Sequence, residues 1–178
     1  GDVYKRQDHL QYWKEALSGY QDLALNTDFP RPKKISGHSG YVKSMLDVEV
    51  SAKFEHLCQQ HQVTPYNVFL AAVYLVLSRY SGQSDFCIGS TIANRDEVKI
   101  SDTVGLFLNN LPIRMNFTAE NADFLALIDY ARAQFVDCHS HQQVSFDHIV
   151  EALASQRDLS KNPIFQVLVN YNSAQAAP

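Results

Sequence analysis

Hydrophobic and polar positions change period several times along the chain, and each change marks an element. Leu10, Trp13, Ala16 and Leu17 share one face of a helix predicted over Asp8–Ser18, with Gly19 as its stop. From Asp22 to Gly40 the pattern breaks at Pro30, Pro32 and Gly37, which predicts an extended surface connector. Val42 and Leu46 among polar neighbours predict a strand over Tyr41–Val48. Ser51 then stands as the N-cap of a helix whose positions Phe54, Leu57, Cys58 and His61 recur at helical spacing. Thr64-Pro65 opens the next helix, which runs to Tyr80 and is apolar nearly all round, so it should be the most buried.

The second half reads with equal regularity. Phe86–Ile92 and Leu111–Phe117 suit strands, Phe124, Ile128, Ala131 and Phe135 define the core face of a helix over Ala122–His139, and a shorter helix follows over Phe146–Ala154. Ile164–Tyr171 is a third strong strand. Strands separated by helices predict an α/β fold with helices packed on a mixed β-sheet. No internal repeat or low-complexity tract is visible, and residues 173–178 look like a frayed tail.

Composition narrows the functional classes. At 178 residues and 46% hydrophobic content the chain can fill one substantial core without disulfides or a structural metal. Asp and Glu outnumber Lys and Arg by 19 to 15, which argues against nucleic acid or an anionic membrane as a general partner. Cys58, Cys87 and Cys138 are widely spaced, form no Cys-x-x-Cys unit and read as core residues of a protein in a reducing compartment. No apolar run is long enough to span a bilayer and the first seven residues hold no signal-peptide core, so a cytoplasmic location is expected. Asn116-Phe-Thr118 matches a glycosylation sequon, a pattern without meaning in such a chain.

Familiar catalytic signatures are missing. There is no Gly-x-Ser-x-Gly elbow, no phosphate-binding Gly-Lys-Ser/Thr loop and no His-Glu-x-x-His helix. His56, Cys58 and His61 do not fall on one helical face, so no metal site is assigned. His139 and His141 flank a helix end, where a solvated cation suits the dipole.

Three runs stand out in order: Val104-Gly-Leu-Phe-Leu-Asn-Asn-Leu111, His141-Gln-Gln-Val-Ser-Phe-Asp147 and Arg157-Asp-Leu-Ser-Lys-Asn-Pro-Ile-Phe165. Taken alone, the first is a loop in which a glycine permits close backbone approach, Phe107 anchors and one asparagine ties down the turn. Taken together, the three resemble the Ile-Gly-x-Phe-Val-Asn-Thr-Leu, His-Gln-Asp-x-Pro-Phe-Glu and Arg-Asp-x-Ser-Arg-x-Pro-Leu-Phe-Gln runs of nonribosomal peptide synthetase condensation domains. Tyr12-Trp13-Lys14, Thr27-Asp28 with Pro30-Arg31-Pro32, Leu77-Ser-Arg-Tyr-Ser-Gly82 and Ile92-Ala-Asn-Arg95 add to the likeness, which covers residues 8–172 and leaves 1–7 as an unmatched edge. Departures are modest: Asn110 stands for threonine, Gln143 for the acidic residue, Ser145 for proline, Asp147 for glutamate and Lys161 for arginine. Asn109 favours condensation over the related epimerisation domains, which usually lack it.

The resemblance implies a chloramphenicol-acetyltransferase-like fold of two lobes with a tunnel between them, of which this chain is similar to the C-terminal lobe. It implies amide-bond formation between thioesters borne on the phosphopantetheine arms of two peptidyl carrier proteins, with an adenylation domain adjoining and no cofactor bound directly. The family's catalytic signature, two adjacent histidines followed four residues later by Asp-Gly, lies in the other lobe. This chain contains no His-His pair, and none of its seven histidines has an aspartate four positions on, so no catalytic residue is assigned.

By position, the resemblance places Gly105, Phe107 and Asn109 at the tunnel floor. Arg95 either pairs with the aspartate of the absent motif or ties down the loop that follows it. Arg31, Lys33 and Lys34 either contact an acidic carrier protein or form a solvated charge run. His141 is a structural marker, and Arg157 with Asp158 forms a local network. The leading expectation is therefore a condensation-domain lobe that is inactive alone. The alternatives are a non-catalytic module docking a carrier protein or an adenylation domain, and a smaller acyltransferase of the same fold whose base comes from another subunit.

Overall fold

The computed structural model describes residues 2–93, 108–118, 123–153 and 158–172, leaving aside the side chains of residues 2–6. Its elements in chain order are α1 (Asp2–Ala16), α2 (Val48–His61), α3 (Pro65–Ser81), β1 (Asp85–Ile92), β2 (Asn109–Asn116), α4 (Phe124–Ser140), α5 (Phe146–Ala152) and β3 (Phe165–Val169). The mixed α/β fold expected from the alternation of periods is the one observed.

Helix ends follow local chemistry. Thr64 caps α3 by accepting the Asn67 N–H at 3.2 Å, Pro65 sits in the first turn, and Gly82 at φ 71° donates its N–H to the Ser78 carbonyl. Asp123 caps α4 through the Ala126 N–H at 2.9 Å. The cap of α2 is Asp47 rather than Ser51, with its carboxylate accepting the Val50 N–H at 2.7 Å. A carboxylate satisfies an orphan donor and also opposes the positive end of the helix dipole, so the helix starts one turn earlier than the apolar spacing implied. Helix α1 likewise begins at Asp2, six residues before the expected start.

The strand expected over Tyr41–Val48 is not formed. Residues 41–47 carry no regular element, and Val42 and Leu46 are 93% and 64% exposed. A strand needs a neighbour to take its N–H and C=O groups, and among the described residues this segment has none.

The three strands form one sheet in the order β2-β1-β3. β1 and β2 are antiparallel, in register from Asp85 opposite Asn116 to Ile92 opposite Asn109. β3 is parallel to β1, with a register shift between Cys87 and Gly89. That shift coincides with a close approach: the Phe165 ring occupies the space where a Cβ on Gly89 would lie, only 2.5 Å away. Glycine is therefore required there for packing. Before β3, Ile164 adopts φ 67° and the Phe165 N–H meets the Pro163 carbonyl at 2.8 Å, the bond of a γ-turn.

Phe86, Ile88, Ser90, Leu111, Ile113 and Met115 are buried in the core. Tyr74 of α3 stacks on Phe86 at 5.2 Å, and the Tyr66 hydroxyl donates to Ser90 Oγ at 2.7 Å. α4 packs on both β2 and α3. One long face of α3 thus enters the core through Val68, Leu70, Ala71 and Tyr74, while Phe69, Val76 and Tyr80 remain 46%, 54% and 77% exposed. These three recur at helical spacing and form an apolar outer stripe on the helix expected to be the most buried. No described helix is long and apolar enough to cross a membrane.

Candidate functional site

Asn109 stands at the first position of β2, where the first of the three sequence runs enters the sheet. Its Nδ2 donates to the carbonyls of Gln142 at 3.1 Å and Val144 at 2.9 Å. Its Oδ1 accepts the N–H of Phe146 at 3.0 Å and of Asn110 at 2.9 Å. One side chain, 9% exposed, therefore satisfies four backbone groups and ties β2 to the turn between α4 and α5. It also does the work of a helix cap. Ser145, at the cap position of α5, makes no side-chain capping bond, and its Oγ pairs instead with His148 Nδ1 at 2.5 Å.

The second run begins at the end of α4 and is held from the other side by α1. The Trp13 indole donates to the His141 carbonyl at 3.1 Å, and the Tyr12 ring stacks on the His141 ring at 3.7 Å between centroids, nearly parallel. His141 Nδ1 lies 3.0 Å from the Asp137 carbonyl. The Tyr12 hydroxyl donates to Asp137 Oδ2 at 2.8 Å beside the Cys138 thiol, which reaches the Pro112 carbonyl at 3.9 Å. Burial pushes the Cys138 thiol up to about 12, and burial with the neighbouring thiol and carboxylate raises Tyr12 well above the usual phenol value. His141 is thus a packing and hydrogen-bonding element, and Cys138 is a buried, protonated core residue like Cys58 and Cys87.

One polar network had no signal in the motif pattern. Arg114, lying in β2 between buried Ile113 and Met115, donates from Nε and Nη2 to both oxygens of Asp85 at 2.8 and 2.6 Å. Its Nη1 reaches the carbonyls of Ala16 at 3.1 Å and Ser18 at 2.7 Å, so one guanidinium joins two strands to the end of α1. The hydrogen bond to Asp85 raises its pKa further. An arginine between the apolar neighbours Ile113 and Met115 was the available clue. In the third run, the Lys161 ammonium bonds Asp22 and lies 3.7 Å from Asp158, tying that loop to the start of the connector. Asp158 also accepts the Ser160 N–H and hydroxyl at 2.9 and 2.7 Å.

Of the residues expected near substrate, Asn109 alone falls within the described structure. Gly105, Phe107 and Arg95 lie outside the described residues, as does Arg157. Arg31, Lys33 and Lys34 lie exposed on the connector, which is pinned where the Ile35 N–H meets the Leu159 carbonyl at 2.9 Å. Among the described residues no three metal-ligating side chains are grouped to hold an ion.

Comparisons with known proteins agree with this architecture. The chain is 36% identical over 168 residues to tyrocidine synthase 3 of Brevibacillus parabrevis, covering 94% of this chain and 2% of that protein. It is 35% identical over 164 residues to surfactin synthase subunit 1 of Bacillus subtilis (strain 168), covering 92% of this chain and 4% of that protein. The chain therefore spans only a few per cent of the length of the curated relatives it matches. Among solved structures it superposes on the X-domain from teicoplanin biosynthesis with TM-score 0.85 and 27% identity, over 92% of this chain and 36% of that one. It shares its fold with the condensation domain of the Monacolin K polyketide synthase at TM-score 0.72 and 21% identity, covering 94% and 41% of the two chains. The family model described as "Condensation domain" matches residues 4–177, and the chain belongs to the condensation-domain family.

Proposed function

We propose that this chain is the lobe of a condensation domain that lacks the His-His-x-x-x-Asp-Gly motif, that the domain forms amide bonds in nonribosomal peptide synthesis, and that this lobe is inactive without a second one. The observation that carries the reading is the family match over residues 4–177 in a sequence that has no His-His-x-x-x-Asp-Gly motif. Coverage of 36% of the teicoplanin X-domain chain supports it, as does the open apolar stripe of Phe69, Val76 and Tyr80 on α3.

In the reaction proposed, an amine on one carrier-borne phosphopantetheine arm attacks the thioester carbon on another. The C–N bond forms, the C–S bond breaks, the amine loses its proton to a group on the second lobe, and the sulfur leaves as a thiolate that takes up a proton to become the free thiol of the arm. The present lobe lowers the barrier by positioning. Gly105, Phe107 and the segment leading into Asn109 form its wall of the tunnel, and Asn109 acts as a positioning residue because its own polar atoms are spent on backbone groups. Arg95 pairs across the lobe boundary with the aspartate of the absent motif. The exposed Arg31, Lys33 and Lys34 meet the acidic carrier protein. The arm is a substrate carried by the partner, the adenylation domain adjoins the lobe, and the assembly is cytoplasmic.

The test is reconstitution. The chain is mixed with two loaded carrier proteins, with and without a separately produced lobe bearing the His-His motif, and products are released and weighed by mass spectrometry. Dipeptide is expected only with both lobes; dipeptide from this chain alone would refute the missing-base reading.

A second reading, a non-catalytic docking module, is favoured by one neighbour. The teicoplanin X-domain, 26% identical to this chain in that structure, has been solved as a complex with OxyB. Docking without catalysis would appear as stable association with a carrier or adenylation domain and no product even when the second lobe is supplied.

A further inference from the structure

The second and third sequence runs converge on a cleft of about 610 Å³. Phe146, Val150, Asp147 and Glu151 of α5 form one wall, and the loop from Asp158 to Ile164 forms the other. Tyr20, Ile35 and Asp22 close the ends. Apolar side chains remain open there: Leu159 is 61% exposed and Ile35 46%. Around them stand four carboxylates, Asp22, Asp147, Glu151 and Asp158, against one ammonium, Lys161. Lys161 is already committed to Asp22 and Asp158. Neither Asp147 nor Glu151 is paired with a lysine or arginine among the described residues.

Asp147, in the first turn of α5, is favoured by the helix dipole, but Glu151, four residues on and on the same face of this seven-residue helix, adds a like charge that repels it. A cation lying along the cleft would relieve that repulsion, while the open apolar side chains would bury a hydrophobic anchor between them. Among the described residues no three acids are grouped to hold a metal ion, and the carboxylates are spread over α5, the following loop and Asp22, which suits positive charge distributed along a chain. We propose that this cleft docks a basic peptide segment, with lysine or arginine side chains flanking one large apolar residue. The proposal does not depend on amide-bond formation, and the chemistry is opposite to that of an acidic carrier protein.

Fluorescence anisotropy of a labelled peptide, Gly-Lys-Arg-Leu-Trp-Lys-Arg-Gly, against the whole chain tests it, with a counterpart carrying glutamate at every basic position. Saturable binding of the basic peptide is expected, weakening as salt rises, with no binding of the acidic one. The double variant Asp147→Asn/Glu151→Gln should weaken binding at least tenfold and melt at or above the temperature of the unaltered chain, which separates lost charge from lost fold. Leu159→Ala should weaken binding severalfold while leaving its salt dependence unchanged. Absence of saturable binding, equal binding of the acidic peptide, or unchanged affinity after neutralising Asp147 and Glu151 would each overturn the proposal.

Discussion

Replacing Asn109 by alanine removes four hydrogen bonds in one step. The Gln142 and Val144 carbonyls and the Phe146 N–H lose their side-chain partner across 33 to 37 residues of chain, and the Asn110 N–H loses a local one. A neutral hydrogen bond contributes about 0.5–1.5 kcal/mol net, and a buried group left unpaired costs about 1–3 kcal/mol. Discounting the local bond, and allowing water to reach part of the turn, Asn109→Ala should destabilise the chain by about 3–4 kcal/mol. Urea denaturation read by far-UV circular dichroism measures that loss, and amide exchange at Phe146 should accelerate more than exchange in β1. Asn109→Asp discriminates further. One carboxylate oxygen can still accept from Phe146 and Asn110, but the other faces two carbonyl oxygens, so the folded state favours the protonated acid and raises its pKa above the unfolded value of about 3.9. The unfolded state then releases its proton first, and stability falls as pH rises from about 4 through the folded pKa before levelling off. An alanine variant losing less than about 1 kcal/mol, against the estimate from three long-range bonds, would refute the reasoning. So would an aspartate variant whose stability rises with pH across that window.

Gly89→Ala drives a methyl group into the Phe165 ring, 2.5 Å away, and should cost at least about 1–3 kcal/mol, with the companion change Phe165→Leu restoring part of it in a double-mutant cycle. Because burial pushes the folded Cys138 thiol up to about 12 from an ordinary value of about 9, its contribution is complete below about pH 9 and is lost as pH rises towards 12. Cys138→Ala should therefore reduce the alkaline fall in stability by about 1.4 kcal/mol per pH unit across that window, measured by denaturation at fixed pH values. Phe69→Ser/Val76→Ser should reduce concentration-dependent self-association in analytical ultracentrifugation without lowering the melting temperature by more than a few degrees, because both side chains lie on the open face of α3.

The sequence determined most of the elements because their causes are local. Thr64-Pro65 and Gly82 bound α3 wherever that segment lies, and the apolar spacing of Ile128, Ala131 and Phe135 selects the face of α4 that turns inward, although Phe124, expected on the same face, is exposed at the first turn. The ordered runs around Asn109, His141 and Asp158 also carried the family likeness without any coordinates. Tertiary structure alone decided what these residues touch. The strand expected over Tyr41–Val48 had a suitable composition, but a strand exists only if another lies beside it, and periodicity says nothing about neighbours. Arg114 belongs to none of the three runs, and only the fold brings Asp85 and the carbonyls of Ala16 and Ser18 around it. Asn109 was legible as a single asparagine tying down a loop, but which backbone groups it ties depends on contacts across more than thirty residues. The acid-rimmed cleft belongs to the same class: its carboxylates lie on α5, the following loop and the start of the connector, and only packing gathers them into one surface. Hydrophobic period reports which side of an element is buried, whereas the pairing of polar groups depends on the path of the whole chain.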